Sequence, residues 1–258
     1  MGYAHAGFDD IVGVDIAPQP RYPFGFVRAD ALEYLAAHGH EFDAIHASPP
    51  CQGYSIMNNL PWLREREYPL LILPTREMLE GIGKPYVIEN VMGARHGAKG
   101  LAKRGLEAHG LKAGYLCGIM FQKPFYRHRL FATNWFWLAP GHPKHQMTIR
   151  ESSSMAGRAR DFVFPIPNPR SERYVYGGTK RGLPGQMAGF SLSNWQNGAQ
   201  AEGVGLGHAK GWRKAAKAMG IDWMRREEMT QAIPPCYTEY IGRALLAQLR
   251  TWNLGVTV

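Results

Sequence analysis

Cys51 stands directly behind two prolines in SPPCQGYS (48–55). Prolines fix φ and extend the chain, so this cysteine is expected in a rigid turn after a strand. An attacking thiolate needs that kind of fixed placement. Taken alone, a cysteine is as readily a small buried hydrophobe. In YVIENV (86–91), Glu89 puts a carboxylate at the end of a β-branched run. Arg127 and Arg129 alternate in YRHRLF (126–131). Singly these read as a strand-end carboxylate and two surface cations on a strand. Asp15 ends DIVGVDI (10–16), where an acid can accept from ribose hydroxyls. Asp30 precedes ALEYLAAHG (31–39) and suits a helix N-cap.

The elements that must position these residues alternate between strand and helix. Strands are expected in 10–16, 25–30, 42–48 and 84–91, with helices over 31–39 and 68–82. The 68–82 stretch draws its apolar face from Leu70, Leu71, Leu73, Met78, Leu79 and Ile82. Strands separated by helical stretches predict a parallel sheet with helices on its faces. In such sheets functional residues gather just past the C-terminal strand ends. Asp15, Asp30, Cys51 and Glu89 all fall at or near such ends. A tail helix, TEYIGRALLAQLRTW (238–252), has Ile241, Ala244, Leu245 and Leu249 on one face and is expected to close this domain.

Residues 136–219 differ in kind. They contain twelve glycines and six prolines and lack helical periodicity until HAKGWRKAAKAMG (208–220). They carry twelve basic and four acidic residues, a net +8 out of the chain's +9. A basic module beside a near-neutral scaffold is the footprint of a polyanion binder, although a solvated basic face would look the same. The whole chain has 258 residues, 45% hydrophobic and 20% charged, which excludes a disordered chain, a coiled coil and a fibre. No apolar run reaches the roughly 18 residues of a membrane helix, and MGYAHAGFDD is not a signal peptide. Three cysteines form no disulfide framework and suit a reducing cytoplasm. The histidines, His46 and His128 among them, show no metal-ligand spacing, so no metal site is expected.

Four segments together resemble the cytosine-5 DNA methyltransferases. SPPCQGYS is similar to that family's catalytic loop, YVIENV to its Glu-Asn-Val motif and YRHRLF to its paired-arginine motif. TQAIPPCYTEYIG (230–242) is similar to its last motif, and all four occur in the family's order over about 200 residues. The compact middle segment looks most like bacterial or bacteriophage members, whose roles include restriction-modification. The resemblance implies a doubly wound, Rossmann-like α/β methyltransferase sheet formed by 1–135 and 220–258. It implies a small irregular target-recognition domain over 136–219.

It also implies roles. Cys51 would add to carbon 6 of cytosine, making carbon 5 nucleophilic toward the methyl group of S-adenosyl-L-methionine. Glu89 would hydrogen-bond or protonate ring nitrogen 3. Arg127 and Arg129 would hold the exocyclic oxygen or the adjacent phosphate. The base must be flipped out of duplex DNA to reach the cysteine, at a cost of a few kcal/mol. Asp15, Ile16, Asp30, Ala31 and Pro50 would contact the cofactor. Gln52, Ser55, Arg173, Lys180, Arg181 and Gln186 would face DNA, with Asn194 and Gln196 as further candidates. Double-stranded DNA is the expected partner, and a monomer the expected state.

The family pattern opens with a strand and a glycine-rich turn, and MGYAHAGF resembles the helix that follows them. The sheet is therefore expected to lack its central strand. A late start codon, a split protein completed by another chain, and an inactive DNA-binding remnant would each account for this. A tRNA cytosine-5 methyltransferase shares the Cys and Glu chemistry. It is disfavoured by the basic middle segment, which lacks a Cys-Phe-Thr motif.

Overall fold

The structure is a computed structural model. It describes residues 1–54, 67–95, 110, 113–123, 125–143, 175–176, 179–180, 188–189, 204–205 and 212–252. The chain divides into two compact units. One comprises 1–116, 128–139 and 238–258, the other 117–127 and 140–237.

In the first unit the order is α1 (Gly2–Ala6), β1 (Val12–Asp15), β2 (Gly25–Arg28), α2 (Ala31–His38), β3 (Ile45–Ala47), α3 (Ile72–Ile82), β4 (Tyr86–Asn90) and β5 (Ala113–Leu116). The second unit's β6 (Phe125–Tyr126) intervenes before β7 (Arg129–Thr133). Among the described residues β1 pairs only with β2, in parallel. The other four strands form a sheet in the order β3-β4-β7-β5. Its β3–β4 pair is parallel, as alternating strands and helices predict. The β4–β7 and β7–β5 pairs are antiparallel, so the sheet is mixed rather than wholly parallel.

Helix α3 begins four residues later than periodicity predicts. Pro74 is the reason. It occupies the third helical position, where its missing N–H is not needed. A start at 68 would place it in the helix interior, against the carbonyl of Leu70. The helix stops at Gly83, whose φ of 73° is left-handed.

Side chains alternate across a sheet. On one face Ile88, Tyr86, Ala113, Leu130 and Ala132 form a core with Ile72 and Leu79 of α3 and with Tyr54. Each large side chain in it contributes about 1.5–3 kcal/mol relative to exposure. The opposite face carries His46, Val87, Glu89, Phe131 and Arg129. The eighteen-residue helix α6 (Pro235–Trp252) comes close to α1. A Cβ added at Gly242 would lie 2.8 Å from the Ala6 Cβ and 2.9 Å from a Tyr3 ring carbon. At the far end of β4, Asn134 accepts from the Tyr86 amide at 2.8 Å and donates to Lys84 at 3.0 Å.

The second unit holds short strands. β6 lies in a three-stranded sheet of order β11-β8-β6, with β8 (Val175–Tyr176) and β11 (Val204–Gly205). A further pair joins β9 (Thr179–Lys180) and β10 (Ala188–Gly189). Helices α4 (Trp212–Met219) and α5 (Arg226–Gln231) follow. Phe125 and Tyr237 are fully buried, with ring centroids 6.2 Å apart. Cys117 is fully buried, and desolvation pushes its thiol up to about 11. Burial therefore keeps this thiol protonated near neutral pH. No described helix is long and apolar enough to cross a membrane.

Candidate active site

The site residues of the first unit come from strand ends. β3 ends at Ala47, and the chain continues through Ser48, buried Pro49 and exposed Pro50 to Cys51. Cys51 is a half-buried free thiol. It opens a short 3-10 turn, Gln52–Tyr54, closed by the Tyr54 amide donating to the Cys51 carbonyl at 3.1 Å. Tyr54 anchors this turn. Its ring is in the core, and its hydroxyl oxygen accepts from the Ile72 amide at 3.3 Å.

β4 lies beside β3 and ends in Glu89 and Asn90, both buried. Asn90 donates from Nδ2 to the Pro49 carbonyl at 2.9 Å, and its Oδ1 accepts from the Val91 amide at 3.0 Å. This one side chain ties the end of β4 to the segment that carries Cys51. Glu89 points to the other face of the sheet. There its Oε1 meets Nε of Arg129, on neighbouring β7, at 2.9 Å. The two side chains are 8% and 16% exposed, so the ion pair is largely shielded from water. Arg129 also donates to the His128 carbonyl at 3.0 Å. The structure thus brings the Cys51 segment, Glu89 and Arg129 to adjacent strands of one sheet.

Arg127 belongs to the second unit. It is buried, and its carbonyl accepts from the Tyr237 hydroxyl.

The β1–β2 pair assembles a second group. Asp15 ends β1 and accepts from the Ala17 amide at 2.7 Å and the Gln19 side chain at 3.4 Å. Ile16 follows and is 71% exposed. Asp30 stands two residues past β2. It caps α2, its Oδ1 accepting from the Leu32 and Glu33 amides at 2.8 and 3.1 Å. Ala31 is the first residue of that helix. A carboxylate at the end of β1, another two residues past the end of adjacent β2, and an exposed apolar side chain next to the first are groups of the kind an adenosine needs. The acids can accept from hydroxyl or amino groups, and Ile16 can cover a ring face.

Gln52 is exposed in the turn after Cys51. Lys180 lies in β9, of which only the backbone is described. Ser55, Arg173, Arg181, Gln186, Asn194 and Gln196 lie outside the described residues.

Sequence reasoning missed three residues near this site. Tyr3 and His46 approach at 2.6 Å between the hydroxyl and Nδ1, and His46 Nε2 lies 3.1 Å from the Ser48 hydroxyl. Spacing gives no signal for this, because Tyr3 and His46 are 43 residues apart.

No family model matches the chain, and no curated protein does. Solved structures do. A prophage-encoded protein of E. coli described as a DNA modification methyltransferase superposes with a TM-score of 0.51 at 16% identity, covering 96% of this chain and 95% of that one. The Dnmt2 methyltransferase of S. pombe follows at a TM-score of 0.49 and 18% identity, covering 96% and 95%. A Spodoptera frugiperda DNMT2 mutant gives 0.47 at 15% identity, covering 96% of each chain. Together with the mixed sheet and its helices, the first of these likenesses shows that the chain has a Rossmann-like α/β fold of the kind found in a methyltransferase.

Proposed function

We propose that this chain transfers a methyl group from S-adenosyl-L-methionine to carbon 5 of cytosine in double-stranded DNA, through a covalent adduct on Cys51. The observation that carries the reading is the hydrogen bond from Asn90 to Pro49. It ties the proline-bound segment leading to Cys51 to the end of β4, the strand that carries Glu89. A thiol and a carboxylate from adjacent strand ends can then act on one planar ring.

In this reading Cys51 adds to carbon 6 of the flipped base. The developing negative charge runs toward ring nitrogen 3, where Glu89, having taken up a proton, donates a hydrogen bond or that proton. Arg129 holds Glu89 in place and offers its remaining N–H groups to the exocyclic oxygen or a phosphate. Arg127 serves the same substrate. S-adenosyl-L-methionine supplies the electrophilic methyl group when bound. Asp15, Ile16, Asp30, Ala31 and Pro50 hold its adenosine end. After transfer a water molecule acting as base takes the carbon 5 proton, the carbon 6–sulfur bond breaks to expel the Cys51 thiolate, and ring nitrogen 3 returns any proton it took to Glu89, restoring the aromatic ring.

We assign the catalytic role to 1–135 with 220–258, and target recognition to 136–219. Gln52, Ser55, Arg173, Lys180, Arg181 and Gln186 are the DNA-facing candidates.

The test is transfer of radiolabelled methyl from S-adenosyl-L-methionine to duplex DNA. The expected result is label on cytosine carbon 5, abolished by Cys51→Ala while DNA binding stays within about twofold. Label transferred equally well by Cys51→Ala would sink the mechanism. Label on tRNA and not on duplex DNA would transfer the same chemistry to an RNA substrate. DNA binding without methyl transfer by the wild-type chain would point to the DNA-binding remnant or a split enzyme.

A further inference from the structure

Tyr3, His46 and Ser48 form a hydrogen-bonded chain from helix α1 to the residue that opens the Pro49-Pro50-Cys51 segment. His46 lies on β3 opposite Val87 of β4, while Ala47 and Ile45 pack against the core on the other face. Asn90 therefore grips the segment from the core face, and His46 reaches it from the opposite face.

The chain has a direction. Part of the His46 surface is accessible, but its ring is packed closely enough that desolvation pushes it down to about 4. It is therefore neutral near pH 7, with one nitrogen donating and one accepting. The Tyr3 phenol is pushed well above its ordinary value, first by burial and then by the charge of Glu89, so it keeps its proton. A phenol is the stronger donor and imidazole the stronger acceptor. Tyr3 thus donates to Nδ1, and Nε2–H donates to the Ser48 hydroxyl oxygen. The Tyr3 ring is fixed edge-on to Phe8 at 5.5 Å and to His46 at 5.4 Å.

We propose that His46 is a positioning residue. Held by Tyr3, it braces Ser48 so that Cys51 is presented to the substrate in one geometry. The proposal rests on the reading of Cys51 as the nucleophile, but part of its test does not.

Three variants test it. Tyr3→Phe keeps the ring and removes the hydroxyl. His46→Leu removes both ring nitrogens, whereas His46→Gln retains an amide donor for Ser48. The first readout is alkylation of Cys51 by iodoacetamide, followed on its own peptide by mass spectrometry, which needs no DNA or methyl donor. We expect the Cys51 rate to rise about threefold or more in Tyr3→Phe and His46→Leu, with His46→Gln nearer wild type. The loss of one hydrogen bond is enough for such a change. The second readout is nitrogen-15 NMR of the imidazole, which should show Nε2 protonated and Nδ1 accepting, with the Nδ1 signal moving in Tyr3→Phe. The third is methyl transfer, where kcat should fall about tenfold with KM for DNA nearly unchanged.

Unchanged Cys51 alkylation in folded Tyr3→Phe would overturn the proposal, as would His46→Gln behaving like His46→Leu. If Tyr3→Phe fails to fold, Ser48→Ala breaks the other end of the chain at an exposed residue and is judged by the same rates. Absence of methyl transfer in the wild type counts against the functional reading, and the brace is then decided by alkylation and NMR.

Discussion

At the scale of single residues the Glu89–Arg129 pair is an ion pair largely shielded from water. Two charges taken out of water attract strongly only while both are present. Arg129→Ala would remove the cation that meets the Glu89 carboxylate at 2.9 Å, and should cost about 3–5 kcal/mol of unfolding free energy, read by urea denaturation. The double variant Glu89→Gln with Arg129→Met removes both charges and should recover much of that loss. Equal destabilisation of the single and double variants would show that the pair matters by packing alone. Sequence located these two residues through the Glu-Asn-Val and Arg-His-Arg strings, because both strings are local. It could not reveal that the carboxylate and guanidinium face each other, since they meet through antiparallel pairing of strands some 40 residues apart. His46 was opaque for a similar reason. A histidine without metal-ligand spacing to a cysteine or carboxylate gives no sign of a phenol arriving from a distant helix.

At the scale of elements, α1 and α6 are held in close approach by a glycine. Gly242 lies opposite Ala6 and Tyr3, and a methyl group there would meet both at under 3 Å. Gly242→Ala should destabilise the chain by about 1–3 kcal/mol, measured as a fall in thermal midpoint, because two packed helices would have to separate. An unchanged midpoint would mean that α1 yields freely. The period of apolar residues revealed α2, α3, α6 and the strands of the first half. It did not reveal β7 running against its neighbours, since direction depends on which strand the chain returns to rather than on its residue types. Periodicity puts the start of α6 at 238, but the helix begins three residues earlier at Pro235, where a first-turn proline is favoured. Pro74 fixed the start of α3 with equal force, but periodicity alone passes over it.

At the scale of the whole molecule, charge and packing are unevenly shared. The +8 of residues 136–219 predicts DNA binding dominated by phosphate contacts and counterion release. Affinity for duplex DNA should fall about a hundredfold or more between roughly 50 and 200 mM salt, by fluorescence anisotropy. A flat response would remove this segment from the DNA-facing surface. The contact of α1 with α6 has another consequence, for how the chain is made. Tyr3 and Gly242 are separated by almost the entire sequence, and Gly7 likewise lies beside Leu246. During synthesis at about 5–20 residues per second, the first helix would wait roughly 12–50 s for its partner to be translated. The last turns of α6 must also clear the ribosome before α1 can dock. Until then the apolar side of α1 stays open to chaperones and proteases.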